Sequence, residues 1–479
     1  MIDISEDTYL SLNECVSIVK DREGGAILFN PDNSIEKRIN PTGFMTLEAL
    51  IPGDTVKNVS KQLNGIFTDV EEHQVLADLI VFYSELVRCG YVNREPKNGS
   101  NRYPPHFPSI DDAPRIVDVA ITGKCNLNCP FCFYSDDMQG RQDISLDEWV
   151  TFFYELHRSG VRQVILSGGE VFLRKDLFEI LNHIVEIGLR FSLLSNGTLI
   201  NDQMIGRLNR NYYLKRLDSI QISIDGSCPE VHDAIRGKGS FQKSIEGLRL
   251  LIKNNFPVTV RVTVNRANIY DLENIAKLLL VTMKLPGFTV NDALPIGAAC
   301  RTNADITLTG KQQYEAMKIL ANIEKLYDGR VQASAGPLAR WHCFQEMEKA
   351  RAQGKPKSGM GFLSSCGCAF IKLAVHHDGT IAPCNMLTGL TLGKINKDSF
   401  SEVWKNHPIL KDLRDRRKIP LAKTPGCKEC EWSDFCKGGC PVTVFHETRD
   451  FNRANSGDCY KMFLKENNGR KPWLENDGD

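Results

Sequence analysis

The stretch ITGKCNLNCPFCFY, residues 121–134, sets three cysteines, Cys125, Cys129 and Cys132, in a CX3CX2C array. The apolar run RIVDVAIT leading into it reads as a β-strand, so the array lies on the loop beyond that strand. Three thiolates on one short loop can hold three irons of a 4Fe-4S cluster and leave the fourth iron without a protein ligand. An open iron suits binding and reducing a small molecule, whereas simple electron storage ordinarily uses four cysteines. The competing reading is zinc, which closely spaced cysteines often bind. Zinc knuckles favour CX2C pairs with further Cys or His nearby, and no fourth ligand lies within this loop.

Composition sets the outer bounds. A chain of 479 residues, 42% hydrophobic and 25% charged, is ordinary globular protein long enough for about three domains. Its formal net charge is +0, so neither nucleic acid nor a membrane surface is implied as partner. The N-terminus MIDISEDTYL is polar and acidic where a secretory signal is basic and then apolar, and runs such as IAKLLLVTM are too short to span a bilayer. A cytoplasmic protein is expected. Sixteen cysteines in that reducing compartment point to metal binding rather than to a disulfide framework.

Half of the cysteines fall near the C-terminus. Cys366 and Cys384 stand in CX12GX4C around Gly379, with Cys368 close to the first; Cys427, Cys430, Cys436 and Cys440 form CX2CX5CX3C; Cys459 follows alone. Taken by itself the CX2CX5CX3C run also fits a zinc ribbon. Cys15, Cys89, Cys228 and Cys300 are expected to be buried thiols, small apolar residues rather than ligands.

Between the two cysteine regions strand-like and helix-like segments alternate, the pattern of a parallel α/β domain. Strands are expected at RIVDVAIT, QVILSGG, RFSLLSN, SIQISID, VTVRVTVN and GFTVNDA. Helical periodicity separates them, as in EWVTFFYELHRSG, which Ser145 and Glu148 open as a capping box. Six βα units are fewer than the eight of a closed barrel, and chemistry is expected at the C-terminal ends of the strands. Polar residues gather at those ends. Gly168, Gly169 and Glu170 close the second strand; Ser195 and Asn196 close the third; Ser223 and Asp225 alternate on the fourth, so their side chains leave one face; Asn265 closes the fifth; and Arg236 follows in HDAIRGKGSF. Capping or turn formation is the alternative role for each polar residue, and a Gly-Gly pair after a strand is by itself most often a turn.

The first hundred residues belong to neither cysteine region. SIVKDREGGAILFN and SIEKRIN read as short strands joined by tight turns, followed by helices near PTGFMTLEAL, TVKNVSKQLNGIF and EEHQVLADLIVFYSELVRCG. Glu71, Glu72, Asp78 and Glu85 put acid on the last helix, which disfavours phosphate binding by a DNA-reading winged helix. The Pro-rich stretch after it is expected to be a linker.

The three cysteines of the first array, with Phe131 as the aromatic before the last of them, resemble the signature of radical S-adenosylmethionine (SAM) enzymes. The resemblance implies that the open iron chelates SAM and that cluster reduction cleaves it to a 5′-deoxyadenosyl radical. It also implies a partial (β/α)6 barrel over residues 115–327, with Phe131, Gly168, Gly169, Glu170, Ser195, Asn196, Ser223, Asp225, Arg236 and Asn265 around SAM. The seven spaced cysteines over 366–479 resemble a SPASM domain, which implies two auxiliary 4Fe-4S clusters and so three in all. Auxiliary I would take Cys366, Cys384 and Cys440; its fourth position is open to Cys368, to Cys343 or to substrate. Auxiliary II would take Cys427, Cys430, Cys436 and Cys459. Residues 1–95 resemble a PqqD-like recognition element, a winged helix that captures the leader of a ribosomally made, later modified peptide (RiPP) at a sheet edge. Residues 96–114 would link it to the barrel, and residues 328–365 would bridge barrel and SPASM domain as a solvated linker or a mobile lid, with linker the expectation.

Together these resemblances imply a RiPP maturase of the thioether-forming sactipeptide or ranthipeptide type, an oxidoreductase fed by flavodoxin or ferredoxin and acting on a precursor peptide. Alternatives are a carbon–carbon crosslinking maturase, a SPASM dehydrogenase oxidising Ser or Cys to an aldehyde, and a non-enzymatic winged-helix iron–sulfur sensor. The dehydrogenases carry an aspartate base directly after the cysteine corresponding to Cys384, where this chain has Asn385. A sensor would need no SAM cleft.

Overall fold

The computed structural model describes residues 4–473 except 14, 51–52, 65, 67–69, 95–106, 139, 302–305, 365 and 388. The expected linker therefore falls largely outside the described residues.

The N-terminal module runs β1 (Tyr9–Leu12), β2 (Ser17–Lys20), β3 (Ala26–Asn30), β4 (Ile35–Ile39), α1 (Pro41–Ala49), β5 (Asp54–Thr55), α2 (Val56–Asn64), α3 (Glu72–Arg88) and β6 (Val92–Asn93). Strands β2, β3 and β4 form an antiparallel sheet with β3 central, and a second small sheet has the order β5-β1-β6. The strand pairs and three helices are those expected; the second sheet is not, because two-residue strands carry no periodicity to read. Asn40 caps α1 by accepting from the Gly43 amide, with Pro41 opening the helix. The module has its own apolar core, built on Leu10, Leu28, Leu47, Val59, Leu79 and Tyr83.

One edge of the β2–β4 sheet is occupied: the Lys20 amide donates to the Pro108 carbonyl, and the Ile110 amide to that of Lys20. The other edge is β4, whose residues 35, 36 and 38 are exposed.

The barrel domain continues with β7 (Ile116–Thr122), α4 (Ser135–Met138), α5 (Leu146–Arg158), β8 (Gln163–Gly168), α6 (Leu177–Ile187), β9 (Arg190–Ser195), α7 (Asp202–Leu208), α8 (Asn211–Leu214), β10 (Leu217–Ser223), α9 (Pro229–Arg236), α10 (Ser240–Lys253), β11 (Val258–Val264), α11 (Leu272–Ala276), β12 (Phe288–Asp292), α12 (Ala298–Arg301) and α13 (Gly310–Leu326). All six expected strands are present and pair in parallel, in chain order from β7 to β12. The capping box at Ser145 and Glu148 forms and starts α5. Strand interiors and helix faces meet in one large core that includes Val117, Trp149, Phe152, Leu166, Ile220 and Val262.

The expectation of a linker over 328–365 is corrected. That segment adds β13 (Val331–Ala333), parallel to β12, and then the 17-residue α14 (Gly336–Ala352). Arg340, Gln345, Lys349 and Arg351 lie on this helix, whose Leu338, Phe344 and Met347 are buried. The segment reads as linker because its apolar residues form no clear stripe at helical spacing.

The C-terminal domain continues the same sheet beyond β7. Strand β14 (Lys372–Val375) lies parallel to β7, and β15 (Thr380–Ala382) and β16 (Gly393–Lys394) follow antiparallel. Helices α15 (Phe400–Asn406), α16 (Pro408–Asp415), α17 (Pro441–Thr448) and α18 (Tyr460–Glu466) complete the chain. Gly379, at φ +82°, makes the β14–β15 turn that leads to Cys384. Arg416 is fully buried and donates to the carbonyls of Ser364, Phe451 and Arg453, drawing the loops around the cysteines together.

The N-terminal module sits against the N-terminal ends of the barrel strands. Arg115, Arg162, Arg190 and Arg216 each stand at the start of a strand. Glu36 pairs with Arg162 and, at 3.0 Å, with Arg115; Asp32 pairs with Arg216 at 2.9 Å; and Arg190 donates to the Pro31 carbonyl. The module thus faces the end of the barrel opposite to the cysteine array.

Candidate active site at the C-terminal strand ends

The loop beyond β7 carries Cys125, Cys129 and Cys132, all half-buried. Burial pushes each thiol up, Cys132 to about 11, and Cys125 and Cys132 also feel Cys129. Each thiol must lose its proton to bind iron, so ligation is linked to proton release. The donor set, three soft thiols on one loop, fits a cluster with one iron left open. Among the described residues no three His, Cys, Asp or Glu side chains converge as the ligands of a single ion would. Cluster thiolates attach to separate irons and need a wider spread.

Gly168 and Gly169 permit a close approach of the chain to itself. A Cβ at Gly168 would stand 2.3 Å from the Thr122 carbonyl oxygen, and one at Gly169 would stand 2.2 Å from that of Lys124. The Gly169 and Glu170 amides donate to these same carbonyls at 2.8 Å. The pair therefore presses the end of β8 against the cysteine loop.

Glu170 is fully buried. It accepts from the Ser195 hydroxyl and the Asn196 amide, each at 2.8 Å, and from the Phe172 amide at 3.2 Å. Burial raises its carboxyl and these bonds oppose the rise. Asn196 donates to Asn126 of the cysteine loop at 2.9 Å. Asn265 spends its side chain on the Thr263 carbonyl and the Ala267 amide, the turn-forming role that was its alternative. Ser223, half-buried, ends β10.

Asp225 and Arg236 form the charged centre of the site. Asp225 is wholly buried, accepts from the Thr263 amide at 2.7 Å and receives Nε of Arg236 at 2.5 Å. The guanidinium lies 5.6 Å from the Phe131 ring centre, and Cys129 and Cys132 help to raise its pKa against the opposing effect of burial. Arg236 keeps further N–H donors beyond the one given to Asp225, which suits a carboxylate ligand. The structure brings Cys125, Cys129, Cys132, Phe131, Glu170, Asp225 and Arg236 to one end of the sheet.

The C-terminal cysteines fall into two groups. Cys368 is fully buried, is hydrogen-bonded to Cys366, and is raised by that bond, by burial and by Cys366, Cys384 and Cys440. Cys427 is raised to about 11 by burial and by Cys436, Cys459 and Cys430. Cys343, on α14, joins the second group: burial and then Cys436 raise it to about 11, and it packs with Cys430 and Cys436 in a separate apolar cluster. Cys300 is exposed, contrary to the expectation of a buried thiol; Cys15, Cys89 and Cys228 are half-buried.

Sequence reasoning missed a polar cluster joining the first cysteine loop to the β14–β15 turn. The Tyr134 hydroxyl lies 2.8 Å from Nδ1 of His377, and the His377 ring fills the space a Cβ at Gly123 would need. Asp137 and His376 lie beside them. The only signals were the adjacent Asp136-Asp137 and His376-His377 pairs, whose partners are more than two hundred residues away.

Comparison with known proteins agrees with this geometry. Residues 119–279 match the radical SAM superfamily and residues 366–431 the SPASM iron–sulfur cluster-binding domain. An AdoMet-dependent heme synthase of Methanosarcina barkeri is 28% identical, covering 72% of this chain and 95% of its own. The mycofactocin maturase MftC of Mycobacterium tuberculosis is 26% identical over 70% of this chain and 80% of its own. In fold, Streptococcus suis SuiB bound to its precursor peptide SuiA superposes with a TM-score of 0.64 at 13% identity, covering 94% of this chain and all of SuiB.

Proposed function

Starting from a radical SAM enzyme that carries a SPASM domain, we propose that this protein is a maturase that crosslinks a ribosomally made precursor peptide, most simply through a cysteine thioether. The observation that carries the reading is the likeness to Streptococcus suis SuiB bound to its precursor peptide, which extends beyond the catalytic domains through nearly the whole chain, together with an N-terminal sheet whose strand β4 pairs with a strand on one side only among the described residues. Edge strand β4 offers backbone groups for an added strand of leader peptide.

Cys125, Cys129 and Cys132 would hold the first cluster. Cys366, Cys384, Cys440 and Cys368 would hold auxiliary I, and Cys427, Cys430, Cys436 and Cys459 auxiliary II. Cys368 is preferred over Cys343 as the fourth ligand because its thiol lies among the first group and Cys343 beside the second. When bound, the cluster and SAM supply a carbon radical able to take hydrogen from the peptide. The chain's own part is positional. Arg236, fixed by Asp225, would receive the SAM carboxylate; Phe131, Gly168, Gly169, Glu170, Ser195, Asn196, Ser223 and Asn265 would shape the rest of its cleft. Flavodoxin or ferredoxin would supply the electron.

Leader site and active site lie at opposite ends of the barrel in this reading. A seven-residue strand such as β7 rises about 3.3 Å per residue, or about 23 Å in all. An extended peptide needs at least about seven residues to cover that distance. The test uses anaerobically reconstituted protein, SAM, dithionite and the short cysteine-containing peptide encoded beside its gene. A peptide mass lower by two hydrogens, with the thiol no longer alkylatable, supports thioether formation; the same loss with a free thiol supports a carbon–carbon bond or side-chain oxidation.

The identity to heme synthases favours a second reading, with a heme precursor as substrate. It predicts 5′-deoxyadenosine formation that responds to iron-coproporphyrin and not to peptide.

A further inference from the structure

A cavity of about 660 Å³ opens between α4, the turn beyond β12 at Pro295–Gly297, and α17 of the C-terminal domain. Helix α4 starts three residues after Cys132, and α17 starts directly after Cys440. A substrate held there lies between the loop beside which hydrogen would be taken and the cysteines through which an electron would leave.

Three carboxylates line this cavity. Asp136 is 43% exposed and paired with Arg301, and Glu447 is exposed and accepts from the Ser456 hydroxyl. Asp137 differs. It is only 2% exposed, and its Oδ2 accepts no hydrogen bond from any described residue. Its Oδ1 lies 3.2 Å from Arg141, and Nδ1 of His376 stands 3.8 Å from Oδ2. Buried carboxylate oxygens are ordinarily satisfied, so one left unpaired on a residue that lines a cavity is an acceptor without its donor.

We propose that Asp137 is the base of the crosslinking reaction, its carboxylate taking the proton that the substrate thiol releases. Carbon would give up one hydrogen atom to the deoxyadenosyl group, sulfur would give its proton to Asp137 as the S–C bond forms, and the remaining electron would pass to an iron–sulfur cluster held by the C-terminal cysteines as oxidant. Asn385, a carboxamide, can take no proton at the position directly after Cys384.

The surroundings suit that role. Burial raises the Asp137 carboxyl, Arg141 opposes the rise and Asp378 adds to it, which narrows the gap to a thiol of ordinary pKa about 8.5. His376 is pushed down to about 4, chiefly by burial, so it faces Asp137 uncharged. Asp136 and Arg301 lie beside it, and His446, Glu447 and Arg449 of α17 line the far side of the cavity.

The inference rests on the maturase reading. Its test measures, for wild type and Asp137→Asn holoenzyme, iron content, affinity for the fluorescently labelled peptide, 5′-deoxyadenosine and crosslinked peptide across pH. Wild type is expected to give product that rises with pH through one ionisation. The variant is expected to bind peptide and form 5′-deoxyadenosine within twofold of wild type, with product per 5′-deoxyadenosine lowered at least tenfold and the pH rise gone. If the variant does not hold its iron, Asp137→Glu is read in its place and must move the pH rise. Equal product per 5′-deoxyadenosine in wild type and variant, or an unmoved pH rise with Glu, overturns the proposal alone. A wild-type enzyme that leaves the peptide unchanged overturns the maturase reading, and the proposal with it.

Discussion

Replacing Gly169 with alanine isolates the packing that holds the cysteine loop. The residue does not have positive φ, so alanine brings no backbone strain, only a methyl group. That methyl would lie 2.2 Å from the Lys124 carbonyl oxygen, 2.4 Å from its carbon and 2.8 Å from the Cys125 amide, all backbone atoms. Ordinary contact begins near 3.4 Å, so strand end and loop must part by about 1.2 Å. Overpacking of this kind costs about 1–3 kcal/mol, partly offset by about 0.4–1 kcal/mol from the stiffer unfolded chain. The fold survives, but the loop moves relative to Glu170 and Arg236. A displacement of about 1 Å at a reacting centre lowers rates about a hundredfold. The assay is 5′-deoxyadenosine formation with SAM and dithionite, beside iron content and thermal midpoint. Gly206→Ala, on α7 with nothing within 4 Å of the added methyl, is the matched control and should not reduce stability. A Gly169→Ala enzyme with full iron and a rate within threefold of wild type would refute the reasoning.

Asp225→Asn strips the charge partner from buried Arg236, a change that costs about 3–5 kcal/mol when an ion is left unpaired; a lower thermal midpoint and loss of the SAM-induced spectral change of the reduced cluster are expected. Arg340→Met removes the clamp that joins Asp292 of β12 to Asp458, the neighbour of Cys459, at 2.9 and 2.6 Å; faster hydrogen exchange in α14 and faster loss of C-terminal iron to a chelator should follow. Cys368→Ala should change the auxiliary-cluster electron paramagnetic resonance signal or lower bound iron, whereas Cys343→Ala should leave both as in wild type.

The cysteine spacings and the strand pattern were legible because each is local. Iron ligation needs fixed intervals, and buried parallel strands need apolar runs, so the array, the six strands and the helix opened by Ser145 could be read directly. Glu170 and Asp225 were found from their places at strand ends, and Arg236 from the segment HDAIRGKGSF that follows the fourth strand. Their bonds to one another were not, since Asp225 meets Thr263 and Arg236 only after folding. Strand β13 and helix α14 were missed because the strand is three residues long and the apolar residues of the helix form no clear stripe at helical spacing. The docking of the N-terminal module also could not be read: it uses arginines at the starts of strands, where single charges carry no motif. Asp137 and His376 are likewise distant in sequence and meet through the sheet.

A SAM-derived radical is expected to remove hydrogen from a peptide bound by this chain. The most direct measurement follows deuterium from a precursor peptide, labelled at carbon, into 5′-deoxyadenosine formed by the reconstituted enzyme. The expected product is 5′-deoxyadenosine heavier by one mass unit, in proportion to crosslinked peptide. Unlabelled 5′-deoxyadenosine from a fully labelled, bound peptide would contradict it.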